Sequence, residues 1–452
     1  MHDLIIVGGG PAGYHAAELA AQEGLKTLLF EERNLGGVCL NEGCIPSKAL
    51  LYSAKIFDYA NGAGAHYGVT CKAPRLDYAA AVRRKDRVVK KLVAGIEGTL
   101  RRGGVTLVKA RAEITGRVEG GFSLRADGQN HLAAKLLLCT GSEPLLPPIH
   151  GLNDALASGF AMTNREILAL TEPPKRLVIV GGGVIGMEMA SLMTSALCEV
   201  TVVEMLSKIA GPTDGEISAL LQKEYEKRGV RFLLGAKLTR VNRDSVTYEA
   251  DGKAEDIPCD KVLLSIGRRA VSAGIGLDRI GVETRNSAVP TDAQQKTNVP
   301  GVFAAGDVNG QSMLAHTAYR EAEVALNVIC GRKDAMEYNA IPSVIYTNPE
   351  VASIGDTLET AREKGIEARE TKLPMMFSGR YMAENEGGAG ICKLVWTGSR
   401  LIGVHILGNP ASEIISTASA LISREVSLEQ ARKIVFPHPS VAEILHEGLF
   451  HS

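Results

Sequence analysis

The sequence predicts an α/β protein with two Rossmann-like dinucleotide-binding domains and a C-terminal α+β domain. Three observations carry this. A strand–glycine loop–helix–strand unit opens the chain, a second unit of the same design starts at residue 176, and after about residue 339 the texture changes to short apolar strands and helices. At 452 residues the chain is too long for one core, and about 150 residues per domain gives roughly three.

Residues 3–7 read as a short apolar strand, followed at once by Gly8-Gly9-Gly10-Pro11-Ala12-Gly13, a helix over 14–23 and a strand over 25–30 that closes on Glu31. Gly8 makes the tight turn, Gly10 lets the backbone approach a pyrophosphate, Gly13 lets helix and strand pack closely, and Glu31 accepts from ribose hydroxyls. Glycine loops alone are common. In the full strand–turn–helix–strand–acid order the signal is specific.

Next comes Gly36-Gly37-Val38-Cys39-Leu40-Asn41-Glu42-Gly43-Cys44-Ile45-Pro46-Ser47-Lys48, two cysteines where a glycine-rich loop runs into a helix. Pro46 suits a first helical turn. Cys44 then lies near a helix N-terminus, where the partial positive charge favours a thiolate. Lys48, four residues on, shares a helix face with Cys44. The pair reads as poised for reversible exchange, because a disulfide across so short a loop would stabilise the fold by only about 2 kcal/mol.

Residues 88–101 read as a basic helix with a solvated face, 122–136 as short hairpin strands, 135–139 as a buried strand before Thr140-Gly141-Ser142, and 143–148 as a linker. The second unit follows: a strand over 176–180, Gly181-Gly182-Gly183-Val184-Ile185-Gly186, a helix from Met187 that includes Glu188, and a strand over 199–203 closing on Glu204. Glu204 follows Gly186 at the interval by which Glu31 follows Gly13, so two dinucleotides are expected. Met205-Leu206-Ser207 offer no arginine to a 2′-phosphate, and Glu204 would repel one, so the second nucleotide is expected to be NAD.

Residues 261–266 read as a strand ending at Gly267-Arg268, and 302–306 as a strand ending on Asp307. A helix is expected over 313–328. Strands are expected over 343–347, 390–395 and 401–407, and helices over 413–424 and 428–434. The last feature is Phe436-Pro437-His438-Pro439-Ser440-Val441-Ala442-Glu443. Two prolines hold the histidine in a rigid loop, with a carboxylate five residues on that can orient its ring.

Composition narrows the function classes. Hydrophobic and charged fractions of 45% and 22% belong to an ordinary globular protein, and a net charge of −1 gives no electrostatic case for nucleic acid or anionic membrane. Met1 leads straight into the first strand, and no apolar run is long enough to span a bilayer, so a cytoplasmic protein is expected. Cys71, Cys139, Cys198, Cys259, Cys330 and Cys392 read as core residues, and no Cys/His spacing suits a metal.

These motifs, with Thr140–Ser142, Gly301–Asp307, Met313–His316 and Tyr346-Thr347-Asn348-Pro349-Glu350-Val351, resemble the class I pyridine nucleotide–disulfide oxidoreductases from end to end, and within them the dihydrolipoamide-oxidising branch. The resemblance implies an FAD-binding domain in two parts, 1–145 and 267–338, an NAD-binding domain over 146–266, and a dimerisation domain over 339–452. It implies FAD at Gly8, Gly10, Gly13, Glu31, Lys48, Ala112, Thr140, Gly141, Ser142, Asp307, Met313, Leu314, Ala315 and His316. NAD is implied at Gly181, Gly183, Gly186, Glu188, Glu204 and Gly267. Asp307 also reads as a plain turn aspartate, and His316 equally as a core histidine.

By the same resemblance Cys39 exchanges with substrate and Cys44 contacts the flavin. Lys48 pairs with Glu188. His438, oriented by Glu443 and contributed by the other subunit of a homodimer, is the base. The implied reaction oxidises protein-bound dihydrolipoamide to lipoamide and reduces NAD⁺. Its carrier would be a separate lipoyl domain or protein of a 2-oxoacid dehydrogenase, acetoin dehydrogenase or glycine-cleavage system. Other disulfide reductases of the family are the nearest alternatives, and a non-catalytic FAD-binding scaffold is the alternative of another class. The chain departs from the family pattern at Phe436 (usually histidine), Pro437 (usually alanine), Ala112 (usually glycine) and in a span over 31–35 one residue shorter. Cys198 falls in a helix-to-strand turn usually held by glycine, at an expected cost in stability.

Overall fold

His2–Val7 pairs in parallel with Thr27–Phe30 on one side and with Gln129–Leu138 on the other, and Thr106–Val108 and Val302–Ala304 extend the parallel set outward. The central residues Leu4–Val7, Thr27–Phe30, Leu136–Leu138 and Val302–Ala304 are buried on both faces, as parallel strands require. Leu4, Ile6, Leu29 and Leu137 face the helices Pro11–Gln22 and Ala315–Ile329, while Ile5, Val7, Leu28 and Leu136 face a second core. The computed structural model describes residues 1–385 and 388–451. It comprises two units, the first formed by Met1–Ala49, Ala80–Leu146 and Gly267–Glu337, the second by Leu50–Ala79, Pro147–Ile266 and Tyr338–Ser452.

In the first unit the expected hairpin and the expected buried strand are continuous. Gln129–Leu138 pairs antiparallel with Gly121–Ala126 through its first half and parallel with His2–Val7 through its second. Its first four residues are exposed or half-buried and its last three buried without a break, so one strand reads as two. The basic helix is also longer than expected, Tyr78–Arg102. The expected linker begins as a ribbon: Ser142–Pro144 pairs antiparallel with Arg268–Ala270, and Leu145 N–H donates to the Gly267 carbonyl at 3.0 Å.

The second unit repeats the design, with parallel strands in the order Arg231–Leu234, Glu199–Glu204, Arg176–Val180, Lys261–Leu264 and Ala161–Met162. Its helix runs Val184–Ser195, beginning before Met187 because Gly183 supplies the N-cap. A five-stranded antiparallel sheet completes this unit. Two of its strands, Val351–Gly355 and Arg369–Pro374, are missed by the sequence reading: one is only five residues long and ends on a glycine, the other alternates charge at a sheet edge. The expected helix over 428–434 shrinks to Leu428–Ala431, since Ile434 and Val435 are exposed and have no core to enter.

The turn after Val184–Ser195 corrects one expectation. The left-handed residue is Leu197 (φ 64°), not Cys198, which is buried. Leu197 N–H donates to Thr194 and Cys198 N–H to Met193, the pattern that Gly24 and Leu25 make with Ala21 and Ala20 in the first unit. Gly24 adopts φ 73° without a side-chain penalty; Leu197 carries one and is 72% exposed, so it gains little from burial. Leu197→Gly is therefore expected to raise stability by about 0.5–1 kcal/mol, read from the urea midpoint.

A buried cation lies in the second unit. Lys393, 4% exposed, places Nζ at 2.9 and 3.0 Å from the Asp214 carboxylate, 3.2 Å from Glu216 and 3.1 Å from Glu370. Asp214 also caps Gly215–Lys227, accepting from Glu216 and Ile217 N–H. Burial pushes the Asp214 carboxyl up, but Lys393 and the helix N–H groups hold it below its ordinary value; Lys372 and Lys393 do the same for Glu216. Carboxyls depressed in the folded state contribute stability above their ordinary pKa and lose it as pH falls through the folded value. Lys393→Met is expected to cost about 3–5 kcal/mol near neutrality. That penalty should shrink below about pH 4, which urea midpoints across pH check.

Candidate active site

The two glycine loops have matching geometry. Gly8 and Gly181 sit at φ 106° and 100°. A Cβ on Gly13 would meet the Gly8 carbonyl oxygen at 1.8 Å, and one on Gly186 the Gly181 oxygen at 2.0 Å, so both positions require glycine. Gly10 and Gly183 cap the two helices and have open space where a Cβ would stand, the cradle a pyrophosphate needs. Glu31 accepts from Gly9 N–H (2.8 Å) and Arg33 N–H (2.7 Å), and Glu204 from Gly182 N–H (2.7 Å) and Leu206 N–H (2.8 Å). Each carboxylate is aimed by backbone and keeps lone pairs for a ribose. Both loops fit a dinucleotide.

The cysteine stretch is fastened to the first loop. Gly36 N–H donates to the Gly9 carbonyl at 2.8 Å, and a Cβ on Gly37 would strike Gly10 Cα at 2.7 Å. Positive φ at Gly36 and Gly37 turns the chain into a short helix, Gly37–Glu42, so Cys39 is helical where a loop was expected. Asn41 steadies this turn, donating to Leu35 and Gly37 carbonyls. Gly43 breaks the helix, and Cys44–Ala60 starts anew with Pro46 in its first turn. The two sulfurs are hydrogen-bonded. That bond and burial push the Cys39 thiol up, against the pull of the Lys48 charge, while Cys44 starts a helix, a position that favours a thiolate.

Thr140 and Ser142 flank Gly141 (φ 73°). Thr140 Oγ1 donates to the Val271 carbonyl and Ser142 Oγ to Asp307. Arg268 donates to Ser142 through Nε and Nη2, both at 2.7 Å. Burial raises the Asp307 carboxyl, with Ser142 and Arg268 opposing, so Asp307 is held in a network and is more than a turn aspartate. Gly306 N–H donates to the fully buried Glu321 at 2.6 Å. His316 is exposed in the first turn of Ala315–Ile329, which removes the core-histidine reading; Met313 and Leu314 precede that helix. Ala112 is buried in the sheet core, and Gly267 is exposed at φ 119°.

Glu188 is buried in Val184–Ser195 and accepts from Tyr346 N–H at 3.2 Å. His438 Nδ1 lies 2.8 Å from Glu443 Oε1, while Ser440 N–H donates to Oε2 at 2.8 Å. Ser440 and then His438 hold the Glu443 carboxyl below its ordinary range. With Nδ1 as donor to Glu443, Nε2 is the basic atom, and the side chain is 80% exposed. Phe436 packs on His446 (ring centroids 5.3 Å apart), so it anchors the loop by aromatic contact.

Sequence reasoning missed Arg268, Glu321 and a tyrosine pair. The Tyr14 and Tyr319 hydroxyls are hydrogen-bonded, their rings edge to face at 5.9 Å. Burial raises both pKa values, and the shared hydrogen bond raises Tyr14 further while pulling Tyr319 back. Tyr14, a tyrosine in an alanine-rich helix beside Gly13, is a signal available in the sequence.

Residues 2–322 match the family described as pyridine nucleotide-disulphide oxidoreductase, and residues 341–449 its dimerisation domain. The chain is 38% identical to a dihydrolipoyl dehydrogenase of Chlamydia muridarum over 99% of its own length and 96% of the relative's. It is 36% identical to the mitochondrial dihydrolipoyl dehydrogenase of Pisum sativum, covering 99% and 90%. The crystal structure of LpdA from Mycobacterium tuberculosis superposes with a TM-score of 0.89 over 99% of both chains at 24% identity. Among the described residues no helix is long and apolar enough to cross a membrane.

Proposed function

Since the chain belongs to the pyridine nucleotide-disulphide oxidoreductase family, we propose that it is a homodimeric dihydrolipoyl dehydrogenase that uses FAD and NAD. The observation that carries this reading is the Cys39–Cys44 pair on a loop bonded to the first dinucleotide cradle. Bound FAD supplies a two-electron relay between sulfur and nicotinamide, and NAD⁺ takes the hydride.

The chain's own residues do the rest. Gly8, Gly10, Gly13, Glu31, Lys48, Ala112, Thr140–Ser142, Asp307 and Met313–His316 would hold FAD. Gly181, Gly183, Gly186, Glu188, Glu204 and Gly267 would hold NAD. In domain terms these are 1–145 with 267–338, and 146–266; the span 339–452, of which Glu386, Gly387 and Ser452 lie outside the described residues, is the dimer-forming part. His438 of one subunit takes the proton of a dihydrolipoyl thiol on Nε2, and Glu443 steadies the resulting imidazolium. The substrate thiolate attacks Cys39 sulfur, breaking the Cys39–Cys44 bond, and Cys44 leaves as thiolate. His438 passes its proton to the departing Cys39 sulfur and takes that of the second substrate thiol as this sulfur displaces Cys39, so Cys39 leaves as a thiol, lipoamide departs as a disulfide and His438 ends protonated beside the Cys44 thiolate. Lys48 would supply fixed positive charge to the bound flavin.

The carrier is a separate lipoyl domain or protein, of a 2-oxoacid dehydrogenase, acetoin dehydrogenase or glycine-cleavage system, in the cytoplasm. Mixing the yellow holoenzyme with dihydrolipoamide and NAD⁺ tests the reading. NADH should form with one lipoamide per NADH. A yellow protein that forms none, or that reduces only other disulfides, would overturn it.

A further inference from the structure

Asp58 sits in the last turn of Cys44–Ala60, the helix that begins at the second redox cysteine. Its Oδ2 accepts from Arg228 Nη2 and from Ser195 Oγ, both at 2.8 Å, and Arg228 Nη2 also reaches Ser195 Oγ at 2.9 Å. Ser195 is the last residue of Val184–Ser195, which carries Glu188. The other arm of the guanidinium, Nη1, donates to the Asn348 carbonyl at 3.2 Å. Two residues earlier, Tyr346 N–H holds Glu188 Oε1. The Tyr225 ring lies under the guanidinium, 5.2 Å from its centroid, and Asn348 N–H donates to the Tyr225 hydroxyl at 3.1 Å. A planar fork can serve a carboxylate and a carbonyl together; a lysine ammonium on this stem cannot keep both directions.

We propose that Arg228 is a positioning residue: through Asp58, Ser195 and Asn348 it fixes the helix that begins at Cys44 and the loop that orients Glu188. The proposal rests on the dihydrolipoyl dehydrogenase reading. The bonds of Arg228 run to Asp58, Ser195 and Asn348, so its effect is expected in the order of the Glu188 loop and in turnover, not in nucleotide affinity.

Hydrogen exchange of the holoenzyme tests this. In Arg228→Gln the Tyr346 amide should exchange about tenfold faster, the effect of losing one charge-assisted hydrogen bond. The kcat for NADH formation should fall severalfold at unchanged KM for NAD⁺, and in a Glu188→Gln background the same substitution should change kcat less than about twofold. Arg228→Lys, which keeps the charge for Asp58, should recover Tm but not slow exchange at Tyr346. Unchanged exchange at Tyr346 in both variants, or an equal kcat factor in both backgrounds, would overturn the assignment. If the parent itself forms no NADH, the functional reading falls and takes this proposal with it; if the parent turns over and only Tyr346 fails to respond, Arg228 alone is wrongly assigned.

Discussion

Cys44→Ser is expected to lower NADH formation from dihydrolipoamide by about a thousandfold or more, without loss of the yellow colour. A serine hydroxyl cannot form the exchangeable bond that the substrate must break, and it is far too basic to replace a thiolate at the start of Cys44–Ala60. Cys39 would remain as a lone thiol with its partner gone. Initial rates of NADH appearance check this, with Cys71→Ser as control. Cys71 is exposed and has no part in the exchange, so its variant should keep the parent rate.

His438→Gln is the second large effect, an expected loss of about 10²–10⁴ in kcat. Without Nε2 the incoming dithiol must ionise unaided, and only a small fraction of an ordinary thiol is thiolate near neutrality. The residual rate of the variant should therefore climb with pH towards the substrate's own pKa, where the parent's rate is already high. Glu443→Gln should cost less, because the 2.8 Å bond to Nδ1 orients the ring but does not take the proton. The Ser440 N–H keeps that side chain in place in either form. Steady-state rates across pH distinguish the two variants.

Much of this site was legible in the sequence because its signals are local. Each glycine loop, with its strand, helix and closing acid, fits within one supersecondary unit, and Cys39, Cys44 and Lys48 lie within ten residues. His438 and Glu443 are equally close, and the prolines announce a fixed loop. What was hidden depends on residues far apart in the chain. Arg268 meets Ser142 only because Ser142–Pro144 and Arg268–Ala270 pair as strands, where the proline-rich segment over 143–148 reads as a linker. Tyr14 and Tyr319 meet only because Pro11–Gln22 packs on Ala315–Ile329. The long strand Gln129–Leu138 passes from exposed to buried along its length because its two halves pair with different neighbours. Leu197 is hidden for the opposite reason: helix-ending turns favour glycine at the left-handed residue, and here a leucine holds that conformation one position before Cys198.

Counting thiols by residue shows which sulfurs carry the electrons. Holoenzyme should be treated anaerobically with one equivalent of dihydrolipoamide, then with excess NAD⁺, alkylated after each step and mapped by peptide mass. Cys39 and Cys44 should become alkylatable together in the first step and be protected together after the second, while the other six cysteines do not change. If either of the two stayed unchanged through both steps, or another pair responded in their place, the electrons would not pass through Cys39 and Cys44.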